Sequence, residues 1–278
     1  MAMVVNTNMA SIISQGNLKK ASSSLTRSIE RLSSGLRINR AADDAAGLSI
    51  STTLKAHIRS IGQAVRNAND AVSLLQTAEG GLEEMTNIIL RMRELAEQAA
   101  SGSLGSTERG YLNSEYIALK SEITRISDVT EFAGRKLLDS TQSITFQVGI
   151  MNSANDRMTI GLANSDATVL GLDSAVAGGV ISTAATAQSA LDRIDDSAIA
   201  ILSSRRGSIG ALQNRLEYSI ANLSSTSENL SAANSRVEDA DFALESAVYV
   251  RNQILMQAGT SILSQANLLP QQALSLIG

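Results

Sequence analysis

The chain has 278 residues, 27 acidic side chains against 23 basic ones, one histidine, one proline and no cysteine. Without cysteine there are no disulfides or thiolate metal sites, and with His57 alone there is no HExxH zinc site and no Ser-His-Asp or Cys-His arrangement. A net charge of −4 leaves no basic footprint for nucleic acid, and no apolar run reaches the ~18 residues that membrane insertion requires.

These exclusions speak against an enzyme of familiar type, and no residue pattern calls for a cofactor. Proline normally makes up about 5% of a chain, and each one costs about 3 kcal/mol inside a helix. Its near absence before Pro270, with 44% hydrophobic and only 3% aromatic residues, favours long uninterrupted helices.

In chain order, residues 1–18 carry no charge, and Leu18, Leu25, Ile29, Leu32 and Leu36 then fall on one helical face. The opposite face is basic: residues 1–42 hold Lys19, Lys20, Arg27, Arg31, Arg37 and Arg40 against Glu30. A basic amphipathic helix suits a membrane surface, nucleic acid or a partner helix, and the narrow, aromatic-free apolar face favours the partner helix. Gly35 and Asn39 interrupt the pattern, and Asp43 and Asp44 read as caps of the next helix, with no histidine or third carboxylate nearby to make a metal site.

That next helix carries Ile61, Ala68, Leu75, Leu82, Ile89 and Ala96 at intervals of seven. Its companions are Ile58, Val65 and Val72 before Gly80-Gly81 and Met85, Met92 and Ala99 after, so the seam is expected to change side at the glycine pair. A Gly/Ser stretch at 101–107 ends it, and a shorter helix with Leu112, Leu119, Ile123 and Ile126 closes near Phe132-Ala133-Gly134. Residues 143–148 and 157–162 alternate polar and apolar positions around a Gly/Asn/Asp turn and predict a β-hairpin. Residues 163–186 show little pattern and read as a connector or a small irregular lobe, expected to tolerate change as exposed connectors do.

A second ladder follows: Leu202, Ile209, Leu216, Leu223, Leu230, Val237 and Leu244, again at intervals of seven, with Leu212, Ile220, Ala233, Ala240 and Ala247 completing a coiled-coil stripe. As one helix it spans about 60 Å, so the expected fold is mainly α: long antiparallel helices in a coiled-coil rod with a small β-hairpin region. Gly207 and Gly210 inside the ladder suggest a closely approaching backbone. Beyond Arg251 no charge appears, yet Val248, Leu255, Ile262 and Leu269 continue an apolar stripe. Both chain ends are thus uncharged and amphipathic, and they are expected to pack on each other or on further copies. Their charges are opposite in sign, since 239–278 holds Asp239, Asp241 and Glu245 against Arg251.

With both ends in view, the chain closely resembles bacterial flagellin. The resemblance rests on VVNTNMAS (4–11), ERLSSGLRINRAADDAAGLSI (30–50), RMRELAEQA (91–99), FQVG (146–149), GALQNRLE (210–217), NLSAANSRVEDADFALE (229–245) and ILMQAGTSILSQANLLPQQALSLI (254–277). Departures are Arg40, where the family usually has a small residue, and Asn234, where it usually has a basic one.

The resemblance implies a terminal coiled-coil inner domain (1–43 with 239–278) and a helical second domain (44–238) carrying the hairpin at about 143–162. Residues 163–186 stand in place of the family's variable outer domains, which makes this a minimal form. It further implies a structural subunit that self-assembles into the extracellular flagellar filament used for swimming, with Leu25, Leu32, Leu230, Val237, Leu244, Leu255 and Ile262 in the assembly core. The implied partners are further copies, the flagellar type III export apparatus, an export chaperone and filament cap and junction proteins. Arg91, Leu95 and Glu115 match positions implicated in recognition by the Toll-like flagellin receptor, and the four-residue spacing of Arg91 and Leu95, off the ladder, predicts that both face outward. The alternative is a flagellin-related hook-filament junction protein, and a peptidase-bearing flagellin is excluded by the missing HExxH.

Overall fold

The computed structural model describes residues 7–173 and 179–275, with side chains of the last helix described through Leu268. Helices α1 (Met9–Ser34), α2 (Ala45–Ala100), α3 (Ser106–Val129), α4 (Ala184–Arg193), α5 (Ala200–Glu238) and α6 (Phe242–Ser275) carry most of the chain. Between α3 and α4 lie two small antiparallel pairs, β1 (Glu131–Phe132) with β2 (Arg135–Lys136) and β3 (Gln142–Gln147) with β4 (Arg157–Leu162). The fold is mainly α with a small β portion, as the periodicity predicts.

The chain divides into two compact units, one of residues 59–227 and one of residues 1–58 with 228–278. The 59–227 unit holds a conventional hydrophobic core. On α2, Ile61, Ala68, Leu75, Leu82, Ile89 and Ala96 are all 1% exposed or less. The second buried row is Ala64, Ala71, Ala78, Met85, Met92 and Ala99, also spaced by seven, whereas Val65 and Val72 are only half-buried. The seam therefore does not change side at Gly80-Gly81: the search for large side chains overlooked three alanines. Gly81 serves a close approach, because a Cβ there would lie 2.9 Å from Thr130 Oγ1 and 3.0 Å from Leu138 Cδ1.

Helices α2 and α3 run antiparallel, with Arg109 Nε donating to Ala99 O at 2.8 Å, and Glu79 of α2 receives Gln213 of α5 at 3.1 Å. The expectation for Gly207 and Gly210 fails, since a Cβ at either would meet nothing within 4 Å. Between α4 and α5, residues 194–199 form a π turn. Ala190, Ile194, Ala198 and Leu202 are all buried, and such repeated spacing by four drifts around a regular helix, so the wider turn keeps the whole series inward. Arg93 clamps the turn through Asp195 at 2.8 and 3.2 Å, and those hydrogen bonds hold the Asp195 carboxyl below its usual range.

The hairpin pairs Ile144 with Ile160 and places both against the core. A second hairpin escaped the sequence reading: Ala133 (φ 50°) and Gly134 (φ 75°) both take left-handed backbone between β1 and β2, the geometry of a two-residue primed turn. Residues 163–186 are not simply an exposed connector. Ala167, Leu170, Leu172 and Ile181 are 4% exposed or less and belong to the core.

The other unit is built differently. Among its described residues, Ile38 and Ala266 are the only hydrophobic side chains that are fully buried, alongside the polar Ser11, Ser28, Ser51, Glu238, Glu245 and Asn252. The long ladder breaks here: α5 stops at Glu238, and Asp241 Oδ1 accepts the Ala243 and Leu244 amides at 2.9 and 3.0 Å to start α6. The breakpoint is pinned to the end of α1, with Arg37 N donating to Glu238 O at 2.6 Å and Ala240 N to Gly35 O at 2.9 Å. Asp43 and Asp44 are structural, accepting backbone amides of Asn39 and Arg40 and of Gly47 respectively.

Glu238, 3% exposed, receives Ser51 Oγ and Lys55 Nζ, each at 2.5 Å, and Asn234 Nδ2 at 3.3 Å. Burial pushes its carboxyl up, but these hydrogen bonds and the Lys55 charge outweigh burial and hold the pKa below the usual value. A depressed carboxyl stabilises the fold fully above the unfolded pKa of about 4.3 and loses that contribution as pH falls through the folded value. Glu238→Gln is expected to destabilise the 1–58/228–278 unit at pH 7 by about 1–3 kcal/mol and to flatten the acid side of its stability profile. Circular-dichroism melts from pH 3 to 7 would check both.

Candidate functional site: an assembly surface

Helices α1 and α6 pair antiparallel. At one end Asn8 Nδ2 donates to Ala266 O and Ser11 Oγ to Asn267 Oδ1, both at 2.8 Å, and at the other Arg31 meets Glu245 at 3.5 Å. Arg31–Glu245 is the one ion pair between α1 and α6 among the described residues, so the opposite charges of the chain ends are realised once.

The seam uses small and polar residues. Ser11 and Ser28 of α1 are buried, as are Glu245, Asn252 and Ala266 of α6, which together with Gly259 are spaced by seven. Gly259 lets Leu18 pack closely, since a Cβ there would stand 3.1 Å from Leu18 Cδ1. The stripe predicted from large residues is rotated off this seam: Leu255 is 50% and Ile262 55% exposed, while Val248 is half-buried. Leu269 lies outside the described side chains.

The predicted assembly residues thus fall into two sets. Leu25, Leu32, Leu230 and Val237 are half-buried within the chain, and Leu244, Leu255 and Ile262 are open, Leu244 at 65%. Around them Ile12, Ile13, Ile29, Phe242, Ile254 and Leu268 are each about half or more exposed. Leu18, Ala21, Leu255, Gly259 and Ile262 line a groove of about 460 Å³ along the pair. Exposed apolar side chains in such number mark an interaction surface. The seam residues themselves were missed, and their signal was the heptad of small and polar residues running beside the large ones.

Arg91 lies elsewhere, on α2. Its guanidinium donates to Glu115 Oε1 of α3 at 2.9 and 3.1 Å and to Glu94 Oε2 at 2.9 Å, and these hydrogen bonds, to Glu94 first and then to Glu115, raise its pKa. Arg91 and Glu115 are exposed as expected, but Leu95 is not: at 1% exposure it belongs to the core. Three residues after Met92, it flanks the second buried row of α2, and that phase turns it inward. The described residues include no cluster of carboxylates and histidine that could hold a metal, and no helix of the described residues is long and apolar enough to cross a membrane.

Residues 5–143 match the bacterial flagellin N-terminal helical region and residues 191–277 the C-terminal helical region. Flagellin of Halalkalibacterium halodurans is 43% identical over 276 residues, covering 99% of this chain and all of its own length. This chain belongs to the bacterial flagellin family. The "flagellar filament 33 kDa core protein" of Treponema phagedenis is 38% identical over 295 residues, covering 99% of this chain and all of its own. The crystal structure of Bacillus cereus flagellin superposes with a TM-score of 0.50 at 33% identity, covering 61% of this chain and 94% of that one. As a flagellin without outer domains, the chain is a structural subunit of the extracellular flagellar filament.

Proposed function

We propose that the chain polymerises with further copies of itself through the α1/α6 surface, and that it acts by assembly alone, without catalysis. The inner domain is 1–43 with 239–278 and the second domain 44–238. Its assembly core comprises Leu25, Leu32, Leu230, Val237, Leu244, Leu255 and Ile262. The observation that carries this reading is the exposed apolar surface of a helix pair that buries mostly serine, asparagine and glutamate. An isolated chain keeps such a surface in water at a cost of about 25 cal/mol per Å², which packing against neighbours recovers.

Purified chain, seeded with sheared filament fragments, is expected to elongate into micrometre filaments. Failure to elongate would favour the junction-protein alternative, which caps or adapts without growing.

Export through the flagellar apparatus with a chaperone, and contact with cap and junction proteins, rest on family membership. Deleting residues 2–40 is expected to abolish secretion while leaving synthesis intact. Recognition by the Toll-like receptor rests on Arg91 and Glu115 as the accessible groups, with Leu95 supporting α2 from beneath. Receptor signalling from an Arg91→Ala, Glu115→Ala variant is expected to fall at least ten-fold, and undiminished signalling would remove this face from the reading.

A further inference from the structure

We infer that the pocket around Arg205 is a carboxylate-binding site, filled in the assembled state by an acidic side chain of a second copy. This rests on the assembly reading above.

The pocket lies wholly within the 59–227 unit, where Leu82, Leu138, Leu162 and Ile209 wall a cavity of about 150 Å³ and Ser204 and Ser208 border it. Arg205 Nη1 donates to Ser165 Oγ at 2.6 Å. Ser165 is fully buried and fixed in turn, its amide on Leu138 O at 2.8 Å and its hydroxyl on Ala163 O at 3.2 Å. One of five guanidinium donors is therefore used, on a neutral oxygen. Among the described residues no carboxylate lies within 4.0 Å of Arg205, although the adjacent Arg206 reaches Glu79 at 3.9 Å. Burial pushes the Arg205 pKa below its ordinary value with nothing to oppose it.

A partly desolvated guanidinium among aliphatic walls is costly unless a carboxylate completes it, and the planar fork suits two parallel hydrogen bonds to one carboxylate. The cavity is smaller than the roughly 300–1,000 Å³ of small-molecule sites, and it suits the head of one side chain. Monomers that polymerise present such side chains to one another, and 27 acidic residues per chain supply candidates.

Arg205→Leu and Arg205→Lys variants, followed by seeded sedimentation and by melting of the monomer, test the inference. The leucine variant is expected to raise the critical concentration for polymerisation at least ten-fold with no loss of monomer melting temperature, and the lysine variant to lie between it and the wild type. Wild-type polymerisation by both variants would overturn the site and leave the assembly reading standing, whereas a wild-type chain that never elongates would overturn both. If Arg205→Leu weakens the monomer, a cryo-electron-microscopy structure of the wild-type filament decides: a carboxylate of another copy within 4 Å of the Arg205 guanidinium supports the site, and its absence overturns it.

Discussion

Serine at both Leu255 and Ile262 is expected to leave the isolated chain's melting temperature almost unchanged while raising the critical concentration for filament growth about 10- to 150-fold. The two effects separate because both side chains are at least half exposed in the single chain. Exposed substitutions usually change stability by no more than about 0.5 kcal/mol. In the polymer the same side chains lose their remaining water, and full burial of a leucine or isoleucine is worth about 1.5–3 kcal/mol. Both are about half covered already, so the pair contributes about 1.5–3 kcal/mol per subunit. Sedimentation across a concentration series gives the critical concentration, and circular dichroism gives the melt. A large fall in the monomer melt, with unchanged polymerisation, would place these residues inside the chain's own fold.

The same residues show how the sequence informed and misled. Apolar residues at intervals of seven identified the first buried row of α2 and the 202–216 part of α5, because that unit has a full core, but ranking by size passed over Ala64, Ala71 and Ala78 of the second row. Between α1 and α6 the rule inverts. Two helices whose contacting residues are serine, glycine, alanine and asparagine approach closely and leave the large side chains at the margins, available to neighbours. A reading that ranks positions by size finds the outer surface there and misses the seam.

The break at 239–241 was hidden for a related reason. Val237 and Leu244 keep the seven-residue interval across it, and only the capping role of Asp241 marks the new helix. Leu95 was misassigned because the buried face of α2 is wider than its two rows: Leu95 flanks the Met92 row and is covered, whereas Glu97, on the other side of Ala96, is exposed. Arg91, by contrast, faces outward as its helix phase predicts, and an ion pair joins it to Glu115 of α3.

Leu172→Ala is expected to destabilise the 59–227 unit by about 2–5 kcal/mol, the usual range for a buried leucine truncated in a packed core. For a unit of this size that corresponds to a fall in melting temperature of roughly 4–20 °C. The expectation rests on how the segment is held. Leu170 and Leu172 are both fully buried, on either side of Gly171, whose φ of 80° lets the chain turn so that both side chains enter the core. Leu170 N donates to Asp166 O at 3.0 Å and Leu172 N to Ala167 O at 2.8 Å, closing the turn on itself. A loop that contributes two leucines to a core cannot shed one without leaving a cavity, and its own hydrogen bonds keep it from collapsing to fill the space. Leu230→Ala, at a half-buried position, should cost the isolated chain less and act mainly on polymerisation. Melting of the Leu172→Ala chain within about 1 °C of wild type would show instead that this segment packs too loosely to matter, and would restore the tolerant connector that its composition suggests.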